Sequence, residues 1–217
     1  MKTCLWLALI AGGALTSAAA DSAQAKEKLT TWVDPADPTV AAIRQTGEQL
    51  INRVGHMLIF EVDRTVADKG VAKAVELMHL KDLTLPKPVP GQPRVTSIKR
   101  TSLALRNPAN RPDIADQEAL EVINTALKDG EDVPTLLIQR LALPNLPLEW
   151  RVYRPITAMT LCLKCHGPLD ELNPEVRAYL AQKYPQDQAI GYRANQWRGV
   201  IRISLAAPEP APAAKNK

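Results

Sequence analysis

The apolar residues in the first half of the chain recur with the period of an α-helix. Asp37 and Pro38 suit a helix start, because an aspartate side chain accepts hydrogen bonds from the free amides of the first turn and proline fits that turn. The apolar positions that follow at helical spacing are Ile43, Gly47, Leu50, Ile51, Val54, Met57 and Leu58. A second helix is predicted over residues 66–80, and the proline-rich run 85–93 ends the helical region. The apolar face of this second helix consists of Val71, Ala74, Val75 and Met78.

After Pro93 the pattern changes to the alternation that is typical of strands. The strands that it predicts cover residues 94–105, 136–143, 149–156 and 197–205. A loop is predicted over 106–113, and amphipathic and capping signals predict helices over 116–128, closed by Gly130, and from Asn173-Pro174 to about Lys183. This order predicts an α+β fold, an antiparallel sheet with the N-terminal helices packed over one face. The segment 161–167 (LCLKCHG) is predicted to be a loop.

The two ends of the chain differ from this pattern. Lys2, an apolar run over residues 5–15 and the A-x-A site Ala23-Gln24-Ala25 are typical of an export signal, with cleavage after Ala20 or a retained anchor as alternatives. We therefore expect a signal peptide over 1–25 and a periplasmic or secreted protein. The mature chain is expected to form one domain over 26–205, followed by a disordered Pro/Ala-rich tail over 206–217.

Composition excludes two classes of partner. The net charge is only +4, and the chain has no run of Lys and Arg, so nucleic acid is not an expected partner. No segment after the signal has the roughly 18 apolar residues that a membrane helix needs, so no stable membrane insertion is expected after cleavage.

The cysteines point to a cofactor. Cys4 leaves with the signal, and the remaining pair stands in Cys162-Leu163-Lys164-Cys165-His166, the C-x-x-C-H attachment pattern of c-type haem. The spacing lets two thiols form thioethers with the two vinyl groups of one porphyrin, while the next residue binds iron. We therefore predict one covalent haem c, held by Cys162 and Cys165, with His166 as the proximal iron ligand.

Three other interpretations of the cysteine pair are open. A local disulfide is compatible with export if no haem is attached. A thioredoxin-type redox pair would need a helix N-terminus after a strand, which the predicted loop does not supply. A structural zinc site needs four ligands, and only His56 and His79 could complete it.

Several segments around the motif resemble a known family. They are residues 74–78 (AVELM), 99–113 (KRTSLALRNPANRPD), 153–167 (YRPITAMTLCLKCHG) and 184–205 (YPQDQAIGYRANQWRGVIRISL). In this order they are similar to bacterial exported c-type haem domains with a PAS-like fold, long described as a domain of unknown function. The resemblance covers roughly residues 38–205. It implies a PAS-like sheet that holds one haem, in the stand-alone form without a kinase or cyclase output domain.

Haem also needs an apolar wall and partners for its propionates. The predicted wall residues are Trp150, Val152, Ile201 and Ile203 on strands, and Leu50, Val54, Met57 and Val75 on helices. The candidate propionate partners are Arg100, Arg106, Arg151 and Arg154, because guanidinium groups match carboxylates; solvated surface positions are the alternative for each. The segment 107–110 (NPAN) is interpreted as a structural turn.

The sixth iron ligand is expected to depart from the family. The resemblance implies a cysteine at the end of the A-x-E-x run, where this chain has Met78. Met78 is the predicted sixth ligand. His79, an open site, His56 and Met57 are the alternatives. A thioether ligand would raise the reduction potential relative to a thiolate.

Three functions fit such a protein. A redox or ligand sensor and a small electron carrier rank nearly level, each with an unidentified signalling or redox partner. A haem peroxidase is the weaker alternative, because no Arg/His pair stands at a recognisable spacing. We expect that the protein is not an enzyme.

Overall fold

The computed structural model describes residues 30–77 and 84–207. The predicted signal peptide, Met78, His79 and the tail beyond residue 207 lie outside the described residues. The helices and strands are β1 (Thr30–Val33), α1 (Ala41–Leu77), β2 (Arg94–Thr101), α2 (Ile114–Asp129), β3 (Leu137–Leu141), β4 (Glu149–Thr157), α3 (Thr160–His166), α4 (Pro174–Lys183) and β5 (Trp197–Ala206). Short 3₁₀ helices cover Pro38–Val40 and Pro108–Asn110.

The five strands form one antiparallel sheet in the order β1-β3-β4-β5-β2. Strands β3, β4 and β5 follow one another as a meander, and β2 pairs with the outer edge of β5. The predicted α+β class is therefore confirmed. The predicted tail begins one residue too early, because Ala206 still pairs with Arg94 and Glu149.

Helices cover both faces of the sheet rather than one. The first face packs against α1, in a core that includes Ile51 and Val54 of the helix and Val152, Ile201 and Ile203 of the strands. The second face packs against α2, where Leu120 and Ile123 meet Tyr153 and Val200. Alternate residues of β4 and β5 thus point into two different cores.

Helix α1 replaces the two helices predicted from the sequence. Asp37 does cap the first turn, since its carboxylate accepts from the Thr39 amide at 2.8 Å. The helical segment then continues to Leu77, with a break at Gly70, whose φ of 79° and ψ of 165° suit glycine. Two helical segments are therefore present, but they divide at Gly70, inside the second predicted helix (66–80), and no loop separates them.

One glycine allows α1 to lie close to the sheet. A Cβ atom on Gly47 would stand 2.6 Å from a methyl carbon of Val152. This approach packs the first half of α1 against β4, and the second half of the helix faces the ends of β2, β4 and β5 across a shared cavity.

The LCLKCHG segment is a helix rather than the predicted loop. Residues 160–166 contain no glycine or proline, and α3 ends where Gly167-Pro168 begins. Seven residues give too few turns for an apolar period to be visible in the sequence. Within residues 30–77 and 84–207, no helix combines the length and the apolar character that crossing a membrane requires.

Candidate functional site

Helix α3 presents the three motif side chains on one face. Cys162, Cys165 and His166 stand at positions i, i+3 and i+4, which are neighbours on a helix surface. The two thiols are free and partly buried. All three side chains line a single cavity.

The cavity lies between α1, α3 and the end of the sheet. Its volume is about 730 Å³, within the range of roughly 300–1,000 Å³ that is usual for cofactor sites. Apolar lining residues include Met57, Leu58, Val62, Val66, Val75 and Leu105. The arrangement can enclose a large, flat, mostly apolar group against the C-x-x-C-H helix.

His166 is held as a neutral imidazole. Its Nδ1 atom lies 2.7 Å from the carbonyl oxygen of Ala189. Burial, and then the charges of Arg106 and Arg198, lower the pKa of His166 well below 6.5. Since a carbonyl can only accept, Nδ1 carries the proton and donates, which leaves the Nε2 lone pair free to bind a metal. This is the tautomer and second contact that metal-binding histidines usually have.

Two arginines of the cavity have no carboxylate partner within the described residues. The Arg100 guanidinium makes no hydrogen bond or ion pair with any residue of the described ranges, and its accessible surface faces the cavity. Desolvation, with a smaller effect of Arg198, lowers the pKa of Arg100 from its ordinary value to about 10. Arg198 donates from Nη1 to the Ala104 carbonyl at 3.2 Å and lies 5.1 Å from the centre of the Tyr192 ring, but its buried Nε atom has no partner and its charge no carboxylate partner among the described residues. Two such cations call for an anionic group in the cavity.

The third arginine of the cavity is paired. Arg106 donates from Nε to Asp187 Oδ2 at 2.8 Å and from its terminal nitrogen to the carbonyls of Cys165 and Ala189. It therefore contacts the backbone of the motif helix as well as the cavity.

The other two predicted arginines lie elsewhere. Arg151 is on the α2 face of the sheet, 2.7 Å from Glu149 and 2.7 Å from Asp113. Arg154 bonds Glu48 and Asn52 of α1. Neither lines the cavity, so the structure places both away from the other candidate site residues.

Arg198 was missed by the sequence reasoning, although a signal existed. Antiparallel pairing places the start of β5 beside the end of β4, as in the pair Trp197 and Thr157. The C-x-x-C-H motif follows β4 directly, so a cation in the first residues of β5 was bound to lie near it.

The predicted apolar wall was largely wrong. Met57 and Val75 do line the cavity. The other six residues pack in the core between α1 and the sheet: Leu50, Val54, Trp150, Val152, Ile201 and Ile203. The cavity lies instead at the ends of the strands, where Thr101, Ile156 and Arg198 line it.

The NPAN segment is a turn, as predicted. Asn107 caps the 3₁₀ helix by accepting from the Ala109 amide at 3.0 Å, and the Asn110 carbonyl accepts from the Thr101 hydroxyl at 2.7 Å. Asn107, Ala109 and Asn110 also border the cavity.

The structure bears on two alternatives for the cysteine pair, a thioredoxin-type redox pair and a structural zinc site. Helix α3 begins at Thr160, three residues after β4 ends at Thr157, so the loop argument against a thioredoxin-type pair is wrong. His56, which a zinc site would need, is exposed on α1 and does not line the cavity. Met78 stays a prediction because it lies outside the described residues; in the sequence it follows the cavity residue Val75 by three positions.

Comparisons with known proteins identify a matching family and a similar solved structure. The chain matches the Tll0287-like family over residues 24–206. Among solved structures it is similar to the crystal structure of the cyanobacterial haem protein Tll0287, with 23% identity and a TM-score of 0.38. That match covers 54% of this chain and 63% of the other, less than two thirds of its length. No curated protein sequence matches.

Proposed function

The chain belongs to the Tll0287-like family, and we propose from this membership, together with the site, that it is a haem-binding protein that holds one haem c covalently. The solved protein of the same name as the family is described as a haem protein. The family resemblance inferred from the sequence is thus confirmed, while the haem, its covalent attachment and a PAS-like fold belong to this proposal.

One observation carries the proposal. The two thiols and the free Nε2 lone pair of a neutral histidine share one helix face and face one cavity of about 730 Å³. A thiol pair that worked alone would need neither this cavity nor a histidine fixed in its metal-binding tautomer. Thioether formation would fix the group at two points, and His166 would bind its iron.

The chain's residues fit the rest of such a group. Arg100 and Arg198 supply unpaired positive charge for its two propionates, which removes the need for Arg151 and Arg154 in that role. The lining from α1 covers its apolar surface and excludes water. Bound haem supplies one-electron redox chemistry and an iron centre for ligands.

Extraction tests the proposal. The protein purified from a host that carries cytochrome c maturation should keep its haem through denaturation and acid-acetone extraction. Cys162→Ala with Cys165→Ala should abolish attachment. Haem that extracts freely from the wild-type protein would contradict covalent binding.

The proposed role is redox or ligand sensing in the periplasm, with electron transfer as the alternative and no catalytic activity. A PAS-like arrangement of the β2-β5-β4-β3 strands would favour sensing, but fold does not fix function. Ready binding of CO or NO to the reduced protein would support a sensor. Failure to bind either gas, together with reversible one-electron oxidation and reduction, would support an electron carrier.

A further inference from the structure

The segment 184–192 (YPQDQAIGY) packs behind the motif helix, and haem attachment alone does not explain its contacts. The Gly191 amide donates to the Gly167 carbonyl at 2.8 Å, and the Tyr192 amide donates to the His166 carbonyl at 2.9 Å. The Ala189 carbonyl accepts from His166 Nδ1. The segment thus holds His166 by its backbone and by its ring.

The Ala189 carbonyl is itself fixed by an ion pair. Asp187 accepts from the Ala189 amide through Oδ1 at 2.8 Å and from Arg106 Nε through Oδ2 at 2.8 Å. Arg106 then donates to the Ala189 carbonyl at 3.2 Å, which closes a ring of hydrogen bonds. Ala189 is fully buried, and the Asp187 side chain is only 8% exposed, so water does not compete for these bonds.

Through this ring of hydrogen bonds the Arg106–Asp187 ion pair affects the electron density of the His166 imidazole. The carbonyl that accepts from the His166 ring also accepts from a guanidinium, which reduces its power to draw the Nδ1 proton. A less polarised imidazole donates less electron density through Nε2. The two charges of the pair also have opposite signs, so the guanidinium and the carboxylate act on the electrostatic potential at the iron site in opposite directions.

We infer that Arg106 and Asp187 are positioning residues that fix the tautomer and orientation of His166 and tune the reduction potential of the proposed haem. The inference rests on the proposed function and adds a role to a segment that lies mostly outside the cavity. Arg106 thereby has a function other than pairing with a propionate, which was its predicted role.

The inference predicts that two variants shift the reduction potential in opposite directions. Asp187→Asn leaves the Arg106 cation uncompensated, so it should favour the reduced state and raise the potential. Arg106→Gln leaves the Asp187 anion uncompensated and should lower it. We expect each variant to change the ratio of reduced to oxidised protein about tenfold at a fixed potential, or about 59 mV for one electron. The double variant should return close to the wild-type value.

Matched controls come from the Arg154–Glu48 ion pair, which does not line the cavity. Glu48→Gln and Arg154→Gln should leave the potential unchanged. Asp187→Asn keeps the shape of the side chain, so it remains informative if Arg106→Gln fails to fold. Shifts of the reduction potential of the same sign in Arg106→Gln and Asp187→Asn, or no shift in either, would overturn the inference.

A second readout needs no haem. Nitrogen-15 NMR of the full chain, produced without haem at neutral pH, should show His166 protonated at Nδ1 only. Arg106→Gln and Asp187→Asn should mix the two tautomers. Haem that is covalently bound but unaffected by either variant would refute the inference and leave the proposed function standing. The opposite result, an Arg106-dependent tautomer in a protein that never retains haem, would refute the proposed function alone.

Discussion

Replacing Arg100 by methionine should stabilise the haem-free protein. The guanidinium has no partner within the described part of the chain, and its surroundings desolvate it. Methionine keeps most of the apolar stem and removes the charge. An isolated buried charge is unfavourable, so its removal should raise the free energy of unfolding.

The pKa of Arg100 gives the size of the effect. Lowering it from the ordinary arginine value to about 10 corresponds to an upper limit of about 3 kcal/mol at neutral pH. The side chain is charged in the folded and the unfolded chain below pH 10, so the whole destabilisation is present there and disappears as the pH rises through the pKa of an unfolded arginine. Because the side chain is partly accessible to water in the open cavity, we expect about 1–2 kcal/mol.

Urea unfolding of the full chain produced without haem measures this free energy. Arg106→Met is the matched control, and its effect on the free energy of unfolding should have the opposite sign. It leaves buried Asp187 without its partner and should destabilise the chain by about 3 kcal/mol. Arg154→Met, at a more exposed ion pair, should change stability by about 1 kcal/mol at most. The reasoning is refuted if Arg100→Met destabilises the haem-free chain as Arg106→Met does. In the haem-loaded protein the sign of the Arg100→Met effect should reverse, because Arg100 then has a propionate partner that the substitution removes.

Three further predictions concern α1 and the iron ligands. His166→Ala should disturb the haem spectrum far more than His56→Ala, and equal effects would mean that the proximal ligand is misassigned. Gly47→Ala should destabilise by about 1–2 kcal/mol, because its Cβ would stand 2.6 Å from a valine methyl, whereas Gly55→Ala, with its nearest atom at 4.0 Å, should stabilise by about 0.5–1 kcal/mol in urea unfolding. Met78→Ala should remove the weak far-red sulfur-to-iron band of the oxidised protein and leave high-spin iron; a bis-histidine EPR signal that depends on the next residue would assign the ligand to His79 instead.

Much of the fold follows from local sequence signals. The alternation in residues 197–205 predicted β5, and Gly130 ended α2 in the left-handed conformation that glycine favours. Asn173 caps α4 as predicted, by accepting from the Glu175 amide at 2.8 Å. These elements depend on neighbours in the chain, so the sequence pattern was sufficient.

The second covered face of the sheet was not visible in the pattern. Arg202 and Ser204 alternate with apolar residues, a pattern typical of a strand with one solvent-facing side, yet they are 5% and 1% exposed. Arg202 is buried because it bonds Asp116 of α2 at 3.1 Å, a contact across 86 residues of sequence. A charge that is satisfied by so distant a partner has the same sequence signature as a solvated one.

The sequence predicted the residues that would hold the haem, but not the residues that pack around them. C-x-x-C-H named Cys162, Cys165 and His166, and the structure brings their side chains to one cavity. The role of the segment around Ala189 could not be read from the sequence, because it depends on contacts over distances of 23 and 83 residues.

The intact mass of the denatured protein tests the central claim most directly. Protein from a host with cytochrome c maturation should have the mass of its chain plus one haem, and the addition should map to the peptide that contains Cys162 and Cys165. The Cys162→Ala, Cys165→Ala variant from the same host should have the mass of the bare chain. A wild-type chain that carries no added haem, in a host that matures another c-type cytochrome normally, would contradict the account.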